Sequence, residues 1–148
     1  MKLYESYSNI RIEDIQRVEL ACNVNLPLGY KEFLLKHNGG SPEHHDYKLA
    51  GEYAGDFSHF YGIRVYPSSA DIQTMYEEYR DLIPSGYFPI GESYGGNVLC
   101  VCLKESEFGS IYIWDHETAN YDGEPWLENM SKLAPDLNNF LSMLYTEE

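Results

Sequence analysis

The residues best equipped for chemistry are five histidines set among 24 carboxylates. His44-His45-Asp46 and Asp115-His116-Glu117 are the densest groupings, with donors that suit a divalent metal ion or a metal-assisted hydrolysis. Their spacing argues against that use. Neither HExxH nor another paired-histidine spacing occurs, and on a strand His116 would project away from both acidic neighbours. The expectation is solvated polar residues at strand ends, with no metal and no cofactor. Nucleophilic catalysis fares no better, because there is no Gly-x-Ser-x-Gly elbow and no cysteine lies in a catalytic context. Gly91-Glu92-Ser93-Tyr94-Gly95-Gly96-Asn97 has the glycines of a phosphate loop but no lysine, and Glu92 would repel a phosphate. A turn between strands is expected there, and no enzymatic activity is expected of the chain. A hydrolase using His44, His45 and His116 is the minor alternative.

Charge narrows the partners. Ten Lys and Arg against 24 Asp and Glu give a formal net charge of −14. Nucleic-acid surfaces and anionic membranes both select basic patches, so neither is an expected partner. The imbalance grows along the chain: net −1 over residues 1–50, −5 over 51–99 and −8 over 100–148. Such acidity supports solubility by itself, and it also suits a basic protein partner. Fourteen tyrosines and two tryptophans add side chains that interfaces favour, with large apolar area and a polar tip.

These residues need elements to position them, and 148 residues with 43% hydrophobic content suffice for one domain. The longest apolar run, Val98 to Leu103, is far short of the about 20 residues of a membrane span. With no signal-like N-terminus and an odd cysteine count, a reducing cytoplasm is expected. Ile12, Ile15, Val18 and Cys22 predict a helix over Ile12 to Asn23. Pro27 opens a second, burying Tyr30, Phe33 and Leu34 and stopped by Asn38-Gly39-Gly40. Tyr47 to Tyr53 and Phe57 to Tyr66 are aromatic-rich, and Tyr61, Ile63 and Val65 alternate as in a half-buried strand. Ser68 and Asp71 resemble a capping box for a third helix through Ile72, Met75, Tyr79 and Leu82, which Pro84 stops. Tyr87 to Ile90, Val98 to Leu103 and Ile111 to Asp115 read as further strands, the middle one apolar enough to be covered on both faces. A last helix follows Pro135 and buries Leu137, Phe140, Leu141 and Leu144. The class is α+β, with a largely antiparallel sheet flanked by helices at both ends.

Three segments resemble one known family. Leu26-Pro27, Tyr30, Phe33-Leu34-Leu35 and Asn38-Gly39-Gly40 match the opening motif of the SUKH superfamily. Phe88-Pro89-Ile90-Gly91 with Gly95-Gly96-Asn97-Val98 is similar to its second motif, although many members carry Asp where this chain has Asn97. Gly109-Ser110-Ile111-Tyr112-Ile113-Trp114-Asp115-His116-Glu117 is similar to its third. The resemblance runs from about Ile12 to Leu144. It implies an α+β domain without enzymatic activity, acting as a bacterial immunity protein that binds a cognate protein toxin, often one directed at nucleic acid. A regulatory or scaffolding interaction module is the alternative. The expected binding face joins acids that steer to aromatics that anchor: Glu52, Asp56, His59, Tyr61, Glu92, Tyr94, Asp115, Glu117, Asp122 and Glu124.

Overall fold

The computed structural model of the chain describes residues 2–146. In chain order the elements are β1 (Leu3–Tyr4), α1 (Ile12–Cys22), α2 (Leu28–Lys36), β2 (Ser41–Pro42), β3 (Asp46–Leu49), β4 (Glu52–Phe60), α3 (Ile72–Tyr79), β5 (Tyr87–Ser93), β6 (Val98–Cys102), β7 (Ile111–Trp114), β8 (Met130–Ala134) and α4 (Leu137–Met143). Strands β3 to β8 form one antiparallel sheet in sequence order, while β1 and β2 pair separately. The α+β class and the largely antiparallel sheet expected from the sequence are what the structure has.

Strand β6 explains the layering. All five of its residues are buried. Leu99 and Val101 join the main core with Ile15 and Val18 of α1, Phe33 and Leu34 of α2, and Phe140 of α4. Val98 and Cys100 face the other way, packing with Trp114 and Ile83 beneath Tyr79 and Leu82. A strand apolar at every position demands cover on both faces; α3 buries Ile72 and Met75 in the main core, and the Tyr79–Ile83 segment at its end supplies cover for the second face. The three cysteines are buried, and no disulfide joins them.

Several boundaries differ from the sequence reading, each for a local reason. The strand-like alternation runs on to Val65, but β4 ends at Phe60, and its hairpin with β3 turns at Ala50-Gly51, both at positive φ. Tyr61 N–H still donates to Ile90 O of β5, but from Ile63 on the backbone bonds to side chains instead of a neighbouring strand. Ile63 N–H donates to Asn38 Oδ1 at 2.7 Å, and Arg64 N–H donates to Asp71 Oδ1 at 2.8 Å. Asp71 is thereby also the cap of α3, accepting from Thr74 N–H at 3.1 Å, while Ser68 begins only a short 3-10 turn. Strand β5 continues through Gly91 to Ser93, which shortens the expected turn to its last residues. Strands β1, β2 and β8 were absent from the sequence reading. The first two have two residues each, and β8 carries no clear alternation.

Glycine is required at two junctions. Gly39 has φ +76°, and a Cβ there would lie 3.0 Å from both Gly62 N and Phe60 O. At Gly91 a Cβ would lie 2.7 Å from His59 O and from the Phe57 ring. Gly39 stands three residues beyond the end of α2 at Lys36, so it serves this close backbone approach more than the helix end. Gly39→Val should therefore cost about 1–3 kcal/mol or more, combining left-handed strain with a backbone clash. Gly95→Ala meets nothing within 4 Å and should cost only the strain of φ +95°. Urea melts of both variants check the order, with Gly39→Val the less stable.

Candidate functional site

Register gathers the candidate residues at one end of the sheet. Phe57 pairs with Ser93, so the part of β4 before Phe57 extends with β3 beyond the end of β5. The β5–β6 turn, Tyr94 to Asn97, lies at that same end, because Val98 pairs with both Glu92 and Trp114. The segment after β7 leaves from Trp114 and returns at Met130, its partner. Hydrogen bonds join the three pieces. Tyr94 N–H donates to Asp56 O at 2.9 Å, and His116 N–H donates to Asn97 Oδ1 at 3.2 Å. Asn97 thus has a structural role as an acceptor in the turn.

The long 115–129 segment is pinned by its own side chains. Asn129 Nδ2 donates to Asp115 O at 2.9 Å, Tyr121 Oη to His116 O at 2.8 Å, and Trp126 Nε1 to Thr118 O at 3.0 Å. His116 lies in a 3-10 turn over His116–Thr118 and not on a strand. Asp115 caps that turn by accepting from Glu117 N–H at 3.0 Å.

Of the ten residues expected on a binding face, Glu52, Tyr94, Glu117, Asp122 and Glu124 are exposed, and Asp56 and Asp115 are half-buried, all at this end. Tyr61 must be corrected. It is 0% exposed and belongs to the core, because the chain turns inward after Phe60 and ties Tyr61 N–H to Ile90 O. His59 and Glu92 are cross-strand partners on the sheet face beside this end, with Nε2 and Oε2 3.9 Å apart. Tyr79 Oη donates to Glu92 Oε1 at 3.2 Å. Burial, then the Glu92 charge, holds the Tyr79 phenol well above its usual range.

Tyr53, Tyr121, Trp126 and Leu127 are exposed large side chains at the same end, and nothing in the sequence singles out the last three as a binding surface. Pro125-Trp126-Leu127 stands inside an acidic, Gly- and Asn-containing stretch without periodicity. Lysine and arginine are absent from residues 50–60, 92–99 and 115–131, which carry eight carboxylates. The resulting end is acidic, studded with aromatics and half-rigid by its own hydrogen bonds. Of the three histidines in the hydrolase alternative, His44 bonds Thr146 at 2.8 Å and His116 lies beside Gly96, so they do not form one group.

A profile of the SMI1 / KNR4 family (SUKH-1) matches residues 9–143. The chain belongs to the SMI1/KNR4 (SUKH-1) family. A SUKH-1 chain with this arrangement is also similar to the SPbeta prophage-derived uncharacterized protein YokK of Bacillus subtilis (strain 168). The two are 29% identical over 133 residues, covering 78% of this chain and 67% of that protein. The family motifs find their physical places here. Asn38 and Gly39 fasten the segment after β4, and Gly91 lets β4 approach β5. Among the described residues no helix is long and apolar enough to cross a membrane.

His59 offers a test of the site's electrostatics. Burial lowers its pKa, with the Glu92 charge opposing. A lowered folded pKa means that the unfolded chain binds more protons between that value and the ordinary 6.5. The His59 contribution to stability is therefore present above pH 6.5 and lost as pH falls through the folded value. An NMR titration should place the His59 midpoint below 6.5, and His59→Gln should flatten stability against pH in that window.

Proposed function

We propose that this chain is an immunity protein: a non-enzymatic inhibitor that acts in the cytoplasm by binding a basic protein toxin at the acidic, aromatic end of its sheet. The supporting observation is the convergence there of the β3–β4 hairpin, the 94–97 turn and the 115–129 segment, which bring carboxylates and exposed aromatics together, with Lys48 of β3, opposite Tyr53, as the basic residue among them. Carboxylates raise the encounter rate of a basic partner, and Tyr53, Tyr94, Tyr121 and Trp126 offer the area that holds it. Toxins directed at nucleic acid tend to be basic, which suits this field. Membership of SUKH-1 and a prophage-derived relative fit a protein of this kind.

The direct test is co-expression with the C-terminal domain of the adjacent gene product. Rescue of growth there, without rescue from an unrelated toxin, is the expected result. Binding of other host proteins without any rescue would favour the scaffolding alternative. For the steering, Glu117, Asp122, Glu124 and Glu128 are exposed, whereas Asp115 is a cap and is best left intact. Reversing those four to lysine moves the net charge from −14 to −6, two units per substitution. The variant should fold normally and lose about tenfold or more in association rate at low salt. Stopped-flow association at two ionic strengths checks this; a rate flat with salt would reduce the acidity to a solubility feature.

A further inference from the structure

We propose that His45, Asp46 and Asp56 form a binding site for a divalent metal ion of the zinc class. The register places Asp46 and Asp56 directly opposite each other on β3 and β4, and His45 precedes Asp46. His45 Nδ1 lies 2.7 Å from Asp56 Oδ1 and 3.4 Å from Asp46 Oδ1. One donor atom from each residue falls within 4.8 Å of the others. Two donors bound tetrahedrally to one zinc at about 2.0–2.2 Å stand about 3.3–3.6 Å apart; the His45–Asp46 separation matches this, and the His45–Asp56 pair would open by at least about half an ångström to share an ion.

A simple ion pair does not account for the geometry. His45 Nδ1 and Asp56 Oδ1 are both shut off from solvent, yet neither makes a hydrogen bond despite their short separation. An imidazolium would aim its N–H at the carboxylate; an imidazole ligand aims a lone pair at a point between the donors. The backbone fixes the frame. Phe57 N–H donates to His45 O, and Asp46 exchanges both backbone hydrogen bonds with Tyr145. His45 and Asp56 keep 40% and 36% of their side chains exposed, which leaves room for water in the remaining coordination positions. One imidazole nitrogen with two carboxylate oxygens suits zinc, and a net charge of −14 favours any cation.

The test is calorimetric titration of the untagged full chain with Zn2+, alongside NMR of its imidazoles. One ion per chain should bind, His45 ring resonances should move first, and the thermal midpoint should rise with Zn2+. His45→Ala and the nearly isosteric Asp56→Asn should each weaken binding by at least tenfold, whereas His44→Ala should not. Circular dichroism verifies that the variants fold, and the imidazole shifts locate the ion in the unmodified protein independently of them. No binding at millimolar Zn2+, shifts centred on another histidine, or a loss below tenfold in folded Asp56→Asn would overturn the proposal. None of these readouts involves a toxin, so the site stands or falls separately from the immunity reading.

Discussion

Every layer of this molecule answers to β6. A strand with Val98, Leu99, Cys100, Val101 and Cys102 all buried cannot lie on a sheet with one wet face. The face carrying Leu99 and Val101 is covered by α1, α2 and α4, whose apolar stripes meet in one core. The face carrying Val98 and Cys100 is covered by Trp114, Ile83 and the Tyr79 end of α3. Helices gathered only on one side would leave about half of the strand's apolar surface in water, at roughly 25 cal/mol for each Å². Placement of the Tyr79–Ile83 segment and of the chain after Trp114 follows from that need.

The second cover has a consequence for function. Ala119 and Met130 pack on the Val98–Trp114 cluster, so the segment between β7 and β8 is held at both of its ends. Its middle is then free to present Glu117, Tyr121, Asp122, Glu124 and Trp126 outward without losing its shape, because Tyr121 and Trp126 also bond its backbone. Preorganised aromatics cost less entropy on binding than mobile ones. The same packing that completes the core thus also anchors the segment that carries the proposed binding face.

Much of this was legible in one dimension because it rests on local rules. The four helices follow from apolar spacing, and the exposure of β6 to two cores follows from an unbroken apolar run. The misreadings share a different cause. Tyr61, Ile63 and Val65 alternate like a strand, but Asn38 and Asp71, at 25 and 7 residues' distance, take the N–H groups that a strand partner would need. Alternation reports which side chains are buried; it carries no information about where the backbone hydrogen bonds go. The strand expected through Asp115 ends at Trp114, because Asp115 caps a turn over His116–Thr118 through its own side chain.

The sequence by itself determined the fold class, the family motifs and the acidity of the later two-thirds. These are sums and periodicities, which need no knowledge of distant contacts. Only the tertiary structure decided that Tyr61 is core while Tyr121 and Trp126 are exposed, and that Asp46 and Asp56 stand opposite each other beside His45. Burial and cross-strand pairing are set by register. The turn at Ala50-Gly51 pairs Leu49 with Glu52, and a bulge between Tyr47 and Lys48 then shifts the register by one residue so that Asp46 meets Asp56.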